Sequence, residues 1–166
     1  MIFFKEELLK VKAFVFDVDG VLASPKIIID HAGNLLRTSN TKDGYALRTA
    51  ISKGYPIALI TGGTFKQVKH RFEFIGVHKV YLGSMDKVKD LLSFTRELNL
   101  SKETIMFMGD DIPDLEAMKL VGFPVCPADA APEVKNISKY VSDKIGGEGC
   151  VRDVVEQVLR AQNNWL

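Results

Sequence analysis

The chain has 166 residues, 46% hydrophobic and 26% charged, with 13 Gly and 6 Pro, a globular composition that excludes collagen, coiled coil and wholesale disorder. Its 22 Lys and Arg against 21 Asp and Glu leave a net charge of +1, with no basic block to meet a nucleic acid. No apolar run approaches the ~18 residues that span a bilayer, so neither a nucleic-acid nor a membrane partner is expected.

Residues 1–7 place Glu6 and Glu7 where an export signal needs an apolar stretch. Cys126 and Cys150 make no disulfide framework. The expectation is therefore one cytoplasmic domain over residues 1–166. Short, nearly continuous apolar runs follow in chain order at 11–16, 56–60, 79–82, 104–108 and 123–125, with a weaker one at 140–141. Runs of this length, rich in Val, Ile and Phe, suit strands covered on both faces. Between them the spacing predicts helices over 43–53, 64–75, 85–98, 111–121 and 151–162. Strands alternating with helices give an α/β, three-layer, Rossmann-like and mainly parallel sheet.

One segment breaks the rhythm. Residues 27–37, with Ile27, Ile28, Ile29, Leu35 and Leu36 around a turn near Ala32–Asn34, read as a β-hairpin inserted between the first strand and the first helix. So many aliphatic side chains on a short hairpin need cover. They either fold onto their own domain or pair with another subunit.

In open α/β sheets ligands sit at the carboxyl ends of the strands. The first run ends Asp17-Val18-Asp19-Gly20 and the second Thr61-Gly62-Gly63-Thr64. Asp86-Lys87 opens a helix, and the fourth run ends Gly109-Asp110-Asp111, with Asp114 one turn on. Acidic groups, a hydroxyl and an ammonium thus meet on one rim, and carboxylates are the ligands of a hard cation such as Mg²⁺. Each piece alone also serves as a turn residue or helix cap, Asp111 and Asp114 included. Their order, Asp, Thr, Lys, Asp, gives the combination its weight.

That order resembles the haloacid dehalogenase superfamily of phosphotransferases, on Asp17-Val18-Asp19-Gly20-Val21-Leu22, Thr61-Gly62, Lys87 and Gly109-Asp110-Asp111 with Asp114. The resemblance implies Asp17 as nucleophile, forming an aspartyl-phosphate. It implies Asp19 as the acid that protonates the leaving oxygen and the base that deprotonates water. Mg²⁺ would be held by Asp17, Asp110 and the Asp19 main-chain carbonyl. Thr61 and Gly62 would grip the phosphoryl oxygens, with Lys87 adding positive charge. Larger members insert a cap domain between these motifs. Residues 20–60 and 62–86 leave no room for one here.

The cap-less branch this chain resembles is that of the 3-deoxy-D-manno-octulosonate 8-phosphate phosphatases of lipopolysaccharide sugar synthesis. The similarity includes Asn40-Thr41-Lys42-Asp43-Gly44, Arg48, Arg71 and the tail Gly146-Gly147-Glu148-Gly149-Cys150-Val151-Arg152. It implies that Asn40, Lys42, Asp43, Gly44, Arg48 and Arg71 contact a sugar-acid phosphate. It also implies a homotetramer built around the hairpins, with the tail approaching a neighbouring site. Two departures stand out: Gly63 replaces a usual Arg, and Ala23-Ser24-Pro25 replaces a usual Thr/Ser-Asp-Gly. The first leaves a nine-carbon keto-deoxy sugar 9-phosphate as the alternative substrate.

A receiver domain is the rival from another class, but its phosphorylated Asp ends the third strand, where this chain has Leu82-Gly83-Ser84. A catalytically silent scaffold would not need all of Asp17, Asp19, Thr61, Lys87 and Asp110. His31, His70 and His78 lack metal-ligand spacing and read as surface or hairpin residues. Cys126 reads as core. Cys150, after Gly149 at a helix start, is either an activated thiol or a small filler. Phe3, Phe4 and Trp165 are expected to dock the termini.

Overall fold

The computed structural model describes residues 6–166; Phe3 and Phe4 lie outside them. The elements are β1 (Ala13–Phe16), β2 (Ile28–Ile29), β3 (Leu35–Leu36), α1 (Thr41–Ser52), β4 (Ile57–Ile60), α2 (Lys66–Phe74), β5 (Lys79–Tyr81), α3 (Lys87–Glu97), β6 (Ile105–Met108), α4 (Leu115–Met118), β7 (Phe123–Cys126), α5 (Pro132–Ile137), β8 (Tyr140–Val141) and α6 (Cys150–Ala161). Six strands form one sheet in the order β5-β4-β1-β6-β7-β8. Every pairing in it is parallel.

The apolar runs are continuous because both faces of the sheet are covered. On one face Phe14, Phe16, Ile57, Leu59, Met106 and Met108 pack with Leu47 of α1 and Val154 and Val158 of α6. On the other, Ala13, Val15, Ile60, Ile105 and Phe107 pack with Leu91 and Phe94 of α3, Met118 of α4 and Val134 of α5. Burial of each large side chain contributes roughly 1.5–3 kcal/mol, so these three layers carry the stability. Trp165 docks the C-terminus, 7% exposed, edge-on to Tyr45 and with the Arg152 guanidinium 4.5 Å from its ring. No helix of the described residues is long and apolar enough to cross a membrane.

Two helices differ from expectation. In place of a helix over 111–121 there is a 3₁₀ turn, Ile112–Asp114, followed by the single turn of α4. The Asp114 carboxylate turns back to accept the Asp110 and Asp111 N–H groups, half of a capping box with Asp111 that opens this segment. Helix α5 was not foreseen. It has six residues, too few for a period to show, although Pro132 at its first position is a start signal.

From β1 the chain runs outward to β4 and β5, then returns to lay β6 along the other side of β1. The carboxyl ends of β1 and β6 therefore border the switch-point crevice. Between β1 and α1 the chain makes only the β2–β3 hairpin, with Ile28 opposite Leu36 and Ile29 opposite Leu35. Its turn is fixed by Asp30, whose carboxylate accepts the Ala32 and Asn34 N–H groups at 2.8 Å, and by Gly33 at φ +81°. Ile28, Ile29, Leu35 and Leu36 all remain exposed. The hairpin does not fold these side chains onto its own body.

Candidate active site

Asp17 is the first residue after β1, and its N–H bonds to the Met108 carbonyl at 3.0 Å, so the β1–β6 ladder sets where its side chain leaves the sheet. The chain then turns sharply: the Val21 and Ala23 N–H groups both reach the Val18 carbonyl. Gly20 occupies this turn at φ +89°, and a β-carbon there would overlap the Asp110 carboxylate. The position demands glycine for both its dihedral and its closeness to the other acid loop.

Lys87, the first residue of α3, stands 3.0 Å from Asp17 Oδ1 and 2.6 Å from Asp114 Oδ1. Asp114 Oδ2 accepts the N–H groups of Asp110 (3.0 Å) and Asp111 (3.3 Å). Asp114 thus brackets Lys87 to the loop after β6. Carboxylate oxygens of Asp17, Asp110 and Asp114 lie within 4.8 Å of one another, with Lys87 the cation among them. Burial, then the Asp114 charge, pushes Asp17 up to about 7 despite Lys87. Burial, then the Asp17 charge, pushes Asp110 up to about 8. Burial opposes the charge on Lys87, but Asp17 and Asp114 outweigh it and raise its pKa. Three acids against one ammonium are under-compensated, and the donor set, hard oxygen throughout, fits a hard divalent cation. Asp114 has both oxygens engaged, which leaves Asp17 and Asp110 as the open carboxylates.

Thr61 is buried directly after β4. Its hydroxyl accepts the Gly63 N–H at 3.1 Å, and its carbonyl accepts the Ser84 N–H at 2.9 Å. Gly62 lies exposed on the same loop. Asp17, Asp19, Thr61, Gly62, Lys87 and Asp110 all line one hollow of about 490 Å³. The fold brings the first-named motifs together.

The second group is placed differently. Asn40 caps α1, accepting the Lys42 and Asp43 N–H groups, and donates to the Gly147 carbonyl at 3.3 Å. Asp43 is buried and accepts the Arg152 N–H at 2.6 Å; burial outweighs its donors and raises it to about 6. Lys42 and Arg48 are exposed. Gly44 faces the Arg71 guanidinium, and Arg71 lines a separate hollow of about 680 Å³ between the hairpin and α2. None of these six borders the carboxylate hollow. Asn40 and Asp43 join α1 to the tail ahead of α6.

The tail itself packs on its own catalytic turn. Gly146 lies against the Gly20 carbonyl so closely that a β-carbon would overlap it, and the Gly147 N–H bonds to the Val21 carbonyl at 2.8 Å. Cys150 is buried and held by burial at about 12, its thiol donating to the Val21 carbonyl, so it is a filler and not an activated thiol. Cys126 is buried, and His31, His70 and His78 are exposed.

Sequence reasoning missed Arg37. Its Nε lies 2.6 Å from Asp19 Oδ1 and its Nη2 3.0 Å from Oδ2, a two-point pairing. Nothing local marks it, because Asp19 is reached only through the hairpin's path.

Residues 76–152 match the family model of the haloacid dehalogenase-like hydrolases. The 3-deoxy-D-manno-octulosonate 8-phosphate phosphatase of Salmonella typhimurium is 34% identical over 152 residues, 92% of this chain and 81% of that one. The Yersinia pestis enzyme of the same name is 33% identical over 153 residues, 92% and 82%. Among solved structures, the Moraxella catarrhalis 3-deoxy-D-manno-octulosonate 8-phosphate phosphatase, in complex with magnesium, phosphate and KDO, superposes with a TM-score of 0.95 at 32% identity, covering 99% of this chain and 95% of that one. The cobalt-bound Haemophilus influenzae phosphatase gives 0.89 at 26% identity, covering 95% and 92%.

Proposed function

This chain belongs to the haloacid dehalogenase-like hydrolases, in the branch of the 3-deoxy-D-manno-octulosonate 8-phosphate phosphatases, and from that premise we propose that it hydrolyses this sugar-acid phosphate to the free acid and phosphate. The observation that carries the reading is the buried Asp17 at the switch point, beside Lys87 and across from Asp110, in a hollow shared with Asp19 and Thr61. Residues 1–166 act as one catalytic domain in the cytoplasm, serving lipopolysaccharide sugar synthesis.

The Asp17 carboxylate attacks phosphorus, and the bond to the sugar oxygen breaks as Asp19 gives that oxygen its proton. Water then attacks the aspartyl-phosphate and passes its proton to Asp19, returning Asp17 as a carboxylate and releasing phosphate. Thr61, its hydroxyl oriented by the Gly63 N–H, donates to a phosphoryl oxygen, and Lys87 stabilises the same group. Mg²⁺, held by Asp17, Asp110 and the Asp19 main-chain carbonyl, supplies charge that offsets repulsion between carboxylate and phosphate. Asp114 positions Lys87 and the Asp110 loop. Lys42, Arg48 and Arg71 meet the sugar-acid end, with Asn40, Asp43 and Gly44 shaping the backbone around them.

A phosphate-release panel tests the substrate. Octulosonate 8-phosphate should exceed neutral hexose phosphates and the nine-carbon 9-phosphate in kcat/KM; a tenfold or greater advantage for the nine-carbon compound transfers the assignment to it. Metal binding has its own thermal signature. Asp17 and Asp110 have raised pKa values in the fold, so the unfolded chain loses its protons first. The metal-free protein therefore loses stability as pH rises from about 4 toward 8. Mg²⁺ should raise Tm more at pH 8 than at pH 5, and an equal shift at both would contradict this account.

The exposed aliphatic hairpin supports a homotetramer assembled through it, whose neighbours cover a site that no cap domain shields. Ile28→Glu and Leu35→Glu together should reduce the native mass to that of one chain. They should also depress kcat/KM for the sugar phosphate far more than for an aryl phosphate. A one-chain native mass in the unaltered protein, with full sugar-phosphate activity, would remove this assembly.

A further inference from the structure

Both carboxylate oxygens of Asp19 are held by one side chain, Arg37, which directly follows β3 and so reaches the site from the hairpin and not from the sheet. The Arg37 side chain is 11% exposed, and its guanidinium carbon stacks 3.7 Å from the centre of the Phe65 ring. Its third nitrogen, Nη1, is buried without a hydrogen-bond partner. Leaving a buried donor unpaired is unfavourable, so the guanidinium is placed by its fork on Asp19 and its stack on Phe65, at the expense of that donor.

The two oxygens of Asp19 are not equivalent. Oδ1 takes the tighter bond, 2.6 Å from Nε, and Oδ2 the longer, 3.0 Å from Nη2. Oδ2 also lies toward the phosphate loop: a β-carbon at Gly63 would stand 3.4 Å from both Asp19 Oδ2 and Thr61 Oγ1. Oδ1 is the more tightly held oxygen, and Oδ2 is the one on the side of the Thr61–Gly63 loop.

We propose that Arg37 is the positioning residue for Asp19: its Nε fixes Oδ1 while the longer Nη2 contact gives way as Oδ2 takes up a proton, and Oδ2 then passes that proton to the leaving oxygen as the P–O bond breaks and accepts the proton of the attacking water. This rests on the acid–base role of Asp19 in the proposed function. Arg37 touches neither phosphate nor sugar in this scheme and acts only through Asp19. A lysine cannot replace it, because a single ammonium lacks the planar fork that orients a carboxylate. The alignment of the acid–base group is thereby delivered by the hairpin.

The test is a double-mutant cycle on the Mg²⁺-loaded enzyme with R37A, R37K, D19N and the D19N/R37A double variant, assayed on 4-nitrophenyl phosphate and on octulosonate 8-phosphate. Misplacing the acid by about an ångström should make R37A lower kcat on the order of 10²-fold. KM should stay within about twofold, since no substrate contact is lost. R37K should recover little of that loss. In the D19N background R37A should cost no more than about twofold further, since both changes remove one function.

Rapid mixing separates positioning from folding. Nitrophenolate departs without needing a proton, so R37A should keep a burst of one equivalent per site and then turn over slowly. An equal loss in parent and D19N backgrounds, a raised KM at unchanged kcat, or a lost burst with lowered Tm would each overturn the proposal. If the parent enzyme hydrolyses 4-nitrophenyl phosphate but ignores octulosonate 8-phosphate, the substrate assignment fails while the aryl-phosphate cycle still decides Arg37.

Discussion

Asp17→Asn should abolish turnover, by at least ~10⁴-fold in kcat, while leaving the protein folded. An amide is nearly the same size and cannot form the acyl-phosphate. The change should also raise Tm in EDTA. Asp17 is desolvated and faces the Asp110 and Asp114 carboxylates, so a neutral group relieves repulsion while Lys87 keeps its bond to Asp114. Lost activity with retained or increased Tm is the signature of a nucleophile placed at some expense of stability. Phosphate release and a melting curve on the same sample check it. Turnover within about tenfold of the parent would end the Asp17 mechanism.

Lys87→Met should have the largest effect on stability, about 3–5 kcal/mol, because it leaves buried carboxylates without their cation. The side chain is 7% exposed and Asp114 1%, so little solvent screens the loss. For a chain of this length that corresponds to a Tm lower by on the order of 10 °C. The loss should be greater at pH 8 than at pH 5, where the carboxylates can take up protons. Catalysis should fall with it, since Asp114 would no longer be tied to α3 and the loop carrying Asp110 would lose its bracket. Denaturant midpoints at the two pH values measure this; a destabilisation under about 1 kcal/mol would mean that the ion pair is solvated and dispensable.

The strands were legible because a parallel sheet covered on both faces leaves its mark in consecutive residues: Ile57–Ile60 and Ile105–Met108 are buried at every position. That Asp17, Thr61, Lys87 and Asp110 would meet in one hollow was legible for the same reason, each standing at a strand end or helix start located by the runs. What escaped depends on side chains crossing between elements. The helix expected over 111–121 is a 3₁₀ turn and a single helical turn, opened by the Asp114 carboxylate reaching back to the Asp110 and Asp111 N–H groups. Arg37 and Asp19 meet only because the hairpin returns to the carboxyl end of β1. The bonds from Asn40 to the Gly147 carbonyl and from the Arg152 N–H to Asp43 join residues more than a hundred positions apart, which no local pattern shows. Arg37 also comes within 3.7 Å of where a Gly63 β-carbon would stand, a nearness that spacing along the chain does not show.

The sheet order has a consequence for how the protein is made. In the finished fold β1 lies between β4 and β6, but β6 is Ile105–Met108 and emerges long after β1, β4 and β5. During synthesis, at roughly 5–20 residues per second, β1 is therefore an edge strand for several seconds, with an open row of backbone donors and acceptors beside Phe14 and Phe16. The turn carrying Asp17 and Asp19 waits longer still, because Gly146 and Gly147, which close over it, follow strands β1–β8 along the chain. The strand that anchors the chemistry is thus open to wrong pairing while the chain is incomplete, and the nascent chain closes its phosphatase site only when Gly146 and Gly147 dock on the turn after β1.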